Sequence, residues 1–159
     1  MLPLVYVETT VVSYLAARAS RDVIVAGHQQ STHNWWQSCR QDYELCVSDS
    51  VLDEASGGDP VAARERLLIL DNFLVLETTP EAIVLAEELV RSAVLPKKAG
   101  EDALHIAIAT IWNVEYLLTW NMRHIHNAVM RLRIEAICVA MGYKTPIICT
   151  PEELVKGMP

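Results

Sequence analysis

No apolar stretch in the 159 residues approaches the ~20 needed to span a bilayer, and neither a basic segment nor a cleavage-like apolar core precedes Glu8. A membrane span or secretory leader is therefore not expected, and the chain reads as cytoplasmic. Among Cys39, Cys46, Cys138 and Cys149 there is no C-x-x-C pair, which removes the spacing of a zinc ribbon or a thioredoxin-like site. Buried free thiols are the expectation. Basic charge is also short: 13 Lys and Arg against 20 Asp and Glu leave a formal charge of −7. Stable nucleic-acid binders usually carry a basic face. The deficit weighs less against an enzyme that meets a polyanion transiently through a cation held by carboxylates. No G-x-G-x-x-G follows an apolar run, which disfavours a dinucleotide fold. Internal repeats and low-complexity segments are absent as well.

What is present is one domain's worth of chain. Its 52% apolar and 21% charged residues are those of a soluble globular protein, and at this length about 70% of the unfolded surface becomes buried. Strand-like runs at Leu4 to Val7, Tyr43 to Val47, Phe73 to Leu76, Tyr116 to Thr119 and Ile147 to Cys149 alternate with helical patterns. That alternation predicts an α/β fold, a parallel sheet with helices on both faces. Asp59-Pro60 and Thr79-Pro80 each put a capping side chain before a proline at the first helical position. A helix from Gly100 to Trp112 carries Leu104, Ile108 and Ile111 as an apolar stripe for the sheet. The Asp22 to Arg40 segment, with Trp35-Trp36, breaks this rhythm and reads as a protruding helix after a short one from Val11 to Ala19.

Glu8 ends the first strand, Glu54 lies shortly after the second, Asp102 opens the helix before the fourth, and Asn121 ends that strand. In parallel neighbours the carboxyl ends share the edge where open α/β sheets bind ligands. Carboxylates converging there repel one another unless a divalent cation neutralises them, and hard oxygen donors favour Mg²⁺ or Mn²⁺.

The stretches Val5-Tyr6-Val7-Glu8-Thr9-Thr10-Val11-Val12-Ser13, Val51-Leu52-Asp53-Glu54-Ala55, Glu101-Asp102-Ala103-Leu104-His105-Ile106-Ala107 and Leu117-Leu118-Thr119-Trp120-Asn121, with Arg123-His124-Ile125, resemble the PIN-domain family, the nuclease fold of VapC toxins. Their order, rather than any single motif, carries the resemblance. It implies a single PIN-like, Rossmann-like three-layer domain over residues 1–150 with a tail at 151–159, and a Mg²⁺- or Mn²⁺-dependent endoribonuclease acting as a toxin. Glu8, Glu54, Asp102 and Asn121 take the places of the catalytic, metal-binding acids. Thr9 or Thr10 supplies the hydroxyl beside the first. Glu8 stands where Asp is usual, and Asn121, often Asp in the family, ligates only through a neutral amide oxygen. The implied partners are an RNA substrate, a second copy in a homodimer, and an antitoxin protein.

Plainer roles compete. Asp102 and Glu101 in a first turn complement the helix dipole, Glu8 can cap the next helix, Glu54 can be a solvated helix residue, and Asn121 suits a turn. His105, one turn from Asp102, orients that acid or bonds backbone in the core. His124 and His126 form an H-x-H whose central Ile125 faces one histidine inward. Arg123, Arg131 and Arg133 are candidates for RNA phosphates; Trp35-Trp36 binds a base or a partner, or divides between core and surface. The alternative from another class is a PIN-fold interaction module with weak or no cleavage. A phosphoacceptor receiver domain is disfavoured because Phe73 to Leu76 ends in Glu77 rather than Asp, and Ile147 to Cys149 in Thr150 rather than Lys.

Overall fold

The computed structural model describes residues 1–92 and 94–156. Five parallel strands, β1 (Leu4–Val7), β2 (Glu44–Ser48), β3 (Leu74–Leu76), β4 (Tyr116–Leu118) and β5 (Ile147–Cys149), form one sheet in the order β3-β2-β1-β4-β5. The helices are α1 (Thr9–Ala16), α2 (Val23–Ser38), α3 (Asp49–Ala55), α4 (Pro60–Leu70), α5 (Pro80–Arg91), α6 (Gly100–Ile111) and α7 (Ala128–Ala140). One group packs around α1, which meets α2, α3 and α4, and a second around α5, which meets α6 and α7. The chain winds outward from β1 to β3, returns to β4 on the other side of β1, and so switches direction between β1 and β4. Ligands of open α/β sheets bind at such a switch.

Central position explains composition. Val5, Tyr6 and Val7 of β1 are wholly buried, as are Leu117 and Leu118 of β4, because a parallel strand covered on both faces must be apolar throughout. Both capping signals act as their side chains allow: Asp59 accepts from the Ala62 N–H at 2.9 Å and Thr79 from the Ala82 N–H at 3.2 Å.

The structure corrects three expectations. The first helix begins at Thr9, two residues early, since Glu8 caps it. α2 does not protrude: Gln29, Thr32 and Trp35 are buried, and the Trp120 indole donates to Thr32 Oγ1 at 2.7 Å. Trp35 is in the core; Trp36 is half-buried, stacked on Phe73 with the Arg40 guanidinium 4.4 Å from its ring centre. The buried face of α6 is also not the expected stripe: Ile108 is in the core, but Leu104 and Ile111 are only half-buried. Ala103, Ile106, Ala107, Ile108 and Ala109 are all fully buried, with α5 packed closely against the helix. At the C-terminal end, Leu154 is buried and Lys156 pairs with Asp42 at 2.7 Å.

Candidate metal centre

Glu8 follows β1 directly, and its N–H donates to the Leu118 carbonyl at 3.0 Å, continuing the β1–β4 ladder past the last strand residue. Its side chain turns inward and is 3% exposed. One carboxylate oxygen, Oε2, accepts from the Thr10 N–H at 3.1 Å, from the Thr10 hydroxyl, and from the Thr119 hydroxyl at 2.9 Å. The expected hydroxyl is thus Thr10, joined by Thr119 from the neighbouring strand end. Burial pushes the Glu8 carboxyl above its ordinary range, opposed in part by His105 and by the Thr10 and Thr119 bonds. Glu8 is both the α1 cap and a buried carboxylate at the sheet edge.

Glu54 reaches the same place from the last turn of α3, not from a strand end. Its Oε1 meets His105 Nε2 at 2.5 Å. On the other side of the imidazole, Nδ1 lies 2.7 Å from the Tyr6 hydroxyl, which lies 2.7 Å from Ser48 Oγ. Ser48 in turn caps α3 by accepting from the Val51 N–H at 3.2 Å. His105 therefore serves Glu54 rather than Asp102 or backbone, as the sequence had suggested. Burial works against a charged His105, yet Glu54, then Glu8 and Asp102, hold its pKa above the ordinary histidine value. Burial likewise raises the Glu54 carboxyl, but the His105 bond and charge outweigh it and leave the pKa lowered. Tyr6 is pushed well up, chiefly by burial, so its phenol keeps its proton.

Asp102 forms a neighbouring unit. Asn121 Nδ2 donates to its Oδ1 at 2.9 Å, His124 Nδ1 bonds its Oδ2 at 2.8 Å, and Asn121 Oδ1 accepts from the His124 N–H at 3.0 Å. The Asn121 amide oxygen, expected at an ion, is turned to backbone in the loop after β4. Of the H-x-H, Ile125 is the core residue and the histidines part: His126 pairs with Glu153 at 2.7 Å and lies 3.0 Å from Arg131. Arg123 and Arg133 are exposed. Thr119, Tyr6, Ser48 and His124 were not read as site residues. Tyr6 carried a signal, since a phenol in a buried apolar strand needs a partner, as did Ser48 at a helix-capping position.

Among the described residues one group of side chains could share an ion: Glu8, Glu54 and His105, whose ligand atoms lie within 4.8 Å of one another. Mg²⁺ and Mn²⁺ suit the oxygens here. Glu8 Oε1 accepts no hydrogen bond from described residues, and the Thr9 hydroxyl lies close enough to Glu54 to help lower its carboxyl pKa while making no hydrogen bond of ordinary geometry. The two carboxylates with a hydroxyl beside them fit a hard cation, whereas both nitrogens of His105 are already engaged. A surface cavity of about 540 Å³ lies elsewhere, at the amino ends of β2 and β3. Its lining holds one carboxylate, Glu44, so the acid chemistry belongs at the carboxyl edge.

No family model matches the chain, and no curated protein sequence does. Solved structures do. VapBC2 from Rickettsia felis, bound to a DNA fragment from their promoter, superposes with a TM-score of 0.59 at 13% identity, covering 92% of this chain and 98% of that one. VapC20 of Mycobacterium tuberculosis, a Sarcin-Ricin loop cleaving toxin, gives 0.57 at 16% identity over 78% and 95%. FitAcB from Neisseria gonorrhoeae gives 0.60 at 14% over 94% and 99%. At such identities the likeness is one of fold, and it spans nearly the whole of each relative. The five-stranded parallel sheet between two helical layers is therefore the PIN-type fold of these VapC and FitAcB structures.

Proposed function

We propose that this protein is a Mg²⁺- or Mn²⁺-dependent endoribonuclease and the toxin of a cytoplasmic toxin–antitoxin pair. The observation that carries the reading is the convergence of Glu8, Glu54 and His105 within 4.8 Å at the β1/β4 switch. The fold supports it, since VapC20 with this fold cleaves the Sarcin-Ricin loop. Glu8 and Glu54 hold the ion, with Thr9 beside them. When bound, the ion neutralises phosphodiester charge, activates water and stabilises the leaving oxygen. Thr10 and Thr119 fix the Glu8 carboxylate, and Asn121 and His124 fix Asp102 at the rim as the third acid. Arg123, exposed on the following turn, is assigned to a substrate phosphate. An antitoxin protein and a second copy of the chain complete the assembly.

One observation favours a second reading, an interaction module that cleaves poorly: both oxygens of Asp102 are committed to protein donors. Incubating the chain with a structured RNA, in Mn²⁺ and in EDTA, separates the two. Cleavage that needs the ion and disappears in Glu8→Gln supports the nuclease. An intact RNA with a metal-loaded chain refutes it.

A further inference from the structure

Glu54 sits on a seven-residue helix with 33% of its side chain exposed, facing another carboxylate. Left alone, such a side chain turns to water and away from Glu8, since both its own rotamer freedom and like-charge repulsion favour that. It is instead anchored. We infer that His105 is the positioning residue for Glu54, and that the chain Ser48–Tyr6–His105 holds the carboxylate within reach of Glu8 and a divalent cation. The inference rests on the metal-dependent reading above.

The geometry supplies the means. His105 is 1% exposed and both ring nitrogens are engaged. Glu54 can only accept when ionised, so Nε2 carries the hydrogen toward it. Val51 N–H donates to Ser48 Oγ, and Ser48 Oγ, Tyr6 Oη and His105 Nδ1 follow at 2.7 Å steps, so the ring is held at Nδ1 whether that nitrogen accepts from the phenol or, in the doubly protonated ring, donates to it. The ring plane is thereby set by groups on β1 and at the end of β2, both within the sheet. α6, which carries His105, opens with Asp102, so one helix serves two of the acids. Ser48 caps the start of α3 while Glu54 lies near its end. Both ends of that helix are thus tied to one chain of hydrogen bonds. Partners that orient a metal-binding side chain in this way typically change metal affinity by 10- to 100-fold when removed.

The test uses the full chain with Mn²⁺ as probe, its affinity read by calorimetry and by the spin-resonance signal of free ion. His105→Leu keeps bulk without hydrogen bonds and is expected to weaken binding by at least about tenfold. Tyr6→Phe, which removes one hydroxyl and frees the imidazole, is expected to weaken it by a smaller factor, and His105→Gln, which keeps a donor, to recover part of the loss. Should His105→Leu fail to fold, the other two variants decide. Lower melting temperatures with Mn²⁺ affinity unchanged in the folded variants overturn the assignment of His105 alone. A wild-type chain that binds no Mn²⁺ overturns the metal reading and this inference with it.

Discussion

Replacing Glu8 by Gln separates the charge of this side chain from its shape. The amide oxygen can still accept from Thr10 and Thr119, so the α1 cap survives, but the buried charge is gone. Two unit charges 4.8 Å apart, the outer limit of the Glu8, Glu54 and His105 ligand atoms, repel by about 3.5 kcal/mol at an effective dielectric near 20. His105 and the partial exposure of Glu54 reduce that repulsion, and weaker bonds to a neutral acceptor give back more of it. The sign is still settled, because the Glu8 pKa is raised: burial outweighs all that favours ionisation. We expect Glu8→Gln to stabilise the metal-free protein by about 1 kcal/mol at pH 8, roughly 2–4 °C in melting temperature. A raised acid carries no penalty below its unfolded value near 4.5 and its full penalty above the higher folded one, so the gain should vanish toward pH 4. Adding Mn²⁺ at a hundred times its Kd should raise wild-type stability by about 2.7 kcal/mol and the variant's by far less. Thermal melts in EDTA and in Mn²⁺, at both pH values, test this. A variant that melts below wild type in EDTA at pH 8, yet gains as much from Mn²⁺, refutes the argument.

Asp102→Asn should fold normally, since Oδ1 can still accept from Asn121, but lose RNA cleavage by about tenfold or more; a wild-type rate in a gel assay removes Asp102 from the mechanism. Burial pushes the Cys46 and Cys149 thiols up to about 12 and Cys138 to about 11, so iodoacetamide at pH 8 should label the partly exposed Cys39 alone. Mass spectrometry that finds a second alkylated cysteine in the folded protein contradicts this. Burial raises the Asp49 carboxyl, but the Thr78 hydroxyl and N–H outweigh it and hold the pKa below its ordinary 3.8. The contact should stabilise the fold above that value and be lost as pH falls through the lower folded one, and Thr78→Val should return the Asp49 titration toward 3.8 by carboxyl NMR.

The strands were legible as apolar runs, which burial on both faces demands of central β1 and β4 and which the edge strands β3 and β5 keep although Leu74, Val75 and Ile147 are exposed: β1 and β5 match the expected bounds, and β2, β3 and β4 differ by a residue. Pro after Asp59 and Thr79 marked two helix starts for a chemical reason that operates locally. Glu8 and Asn121 were visible just past strand ends, Asp102 at a helix start and Glu54 only as an acid soon after β2, but their wiring was not. For His105 the sequence offered Asp102, one turn away, or backbone in the core, because local logic sees only one helix; its actual partner, Glu54, lies 51 residues away. Asn121 likewise read as a ligand, whereas its amide is spent on Asp102 and on the His124 backbone. The course of α2 was misread for a similar reason, since its buried face is set by Trp120, far along the chain.

Thr119 closes on Glu8 across 111 residues of chain. Synthesis runs from the amino to the carboxyl end, so Glu8 and Glu54 are made before β4 and have nothing to converge upon until it has followed. Pairings this distant in sequence also form slowly, because the loop between them must close first. A nascent product halted before Thr119 holds both glutamates without the strand that completes their pocket. Under the proposed function, the order of translation delays the assembly of the cleaving centre until β4 and Thr119 have been made.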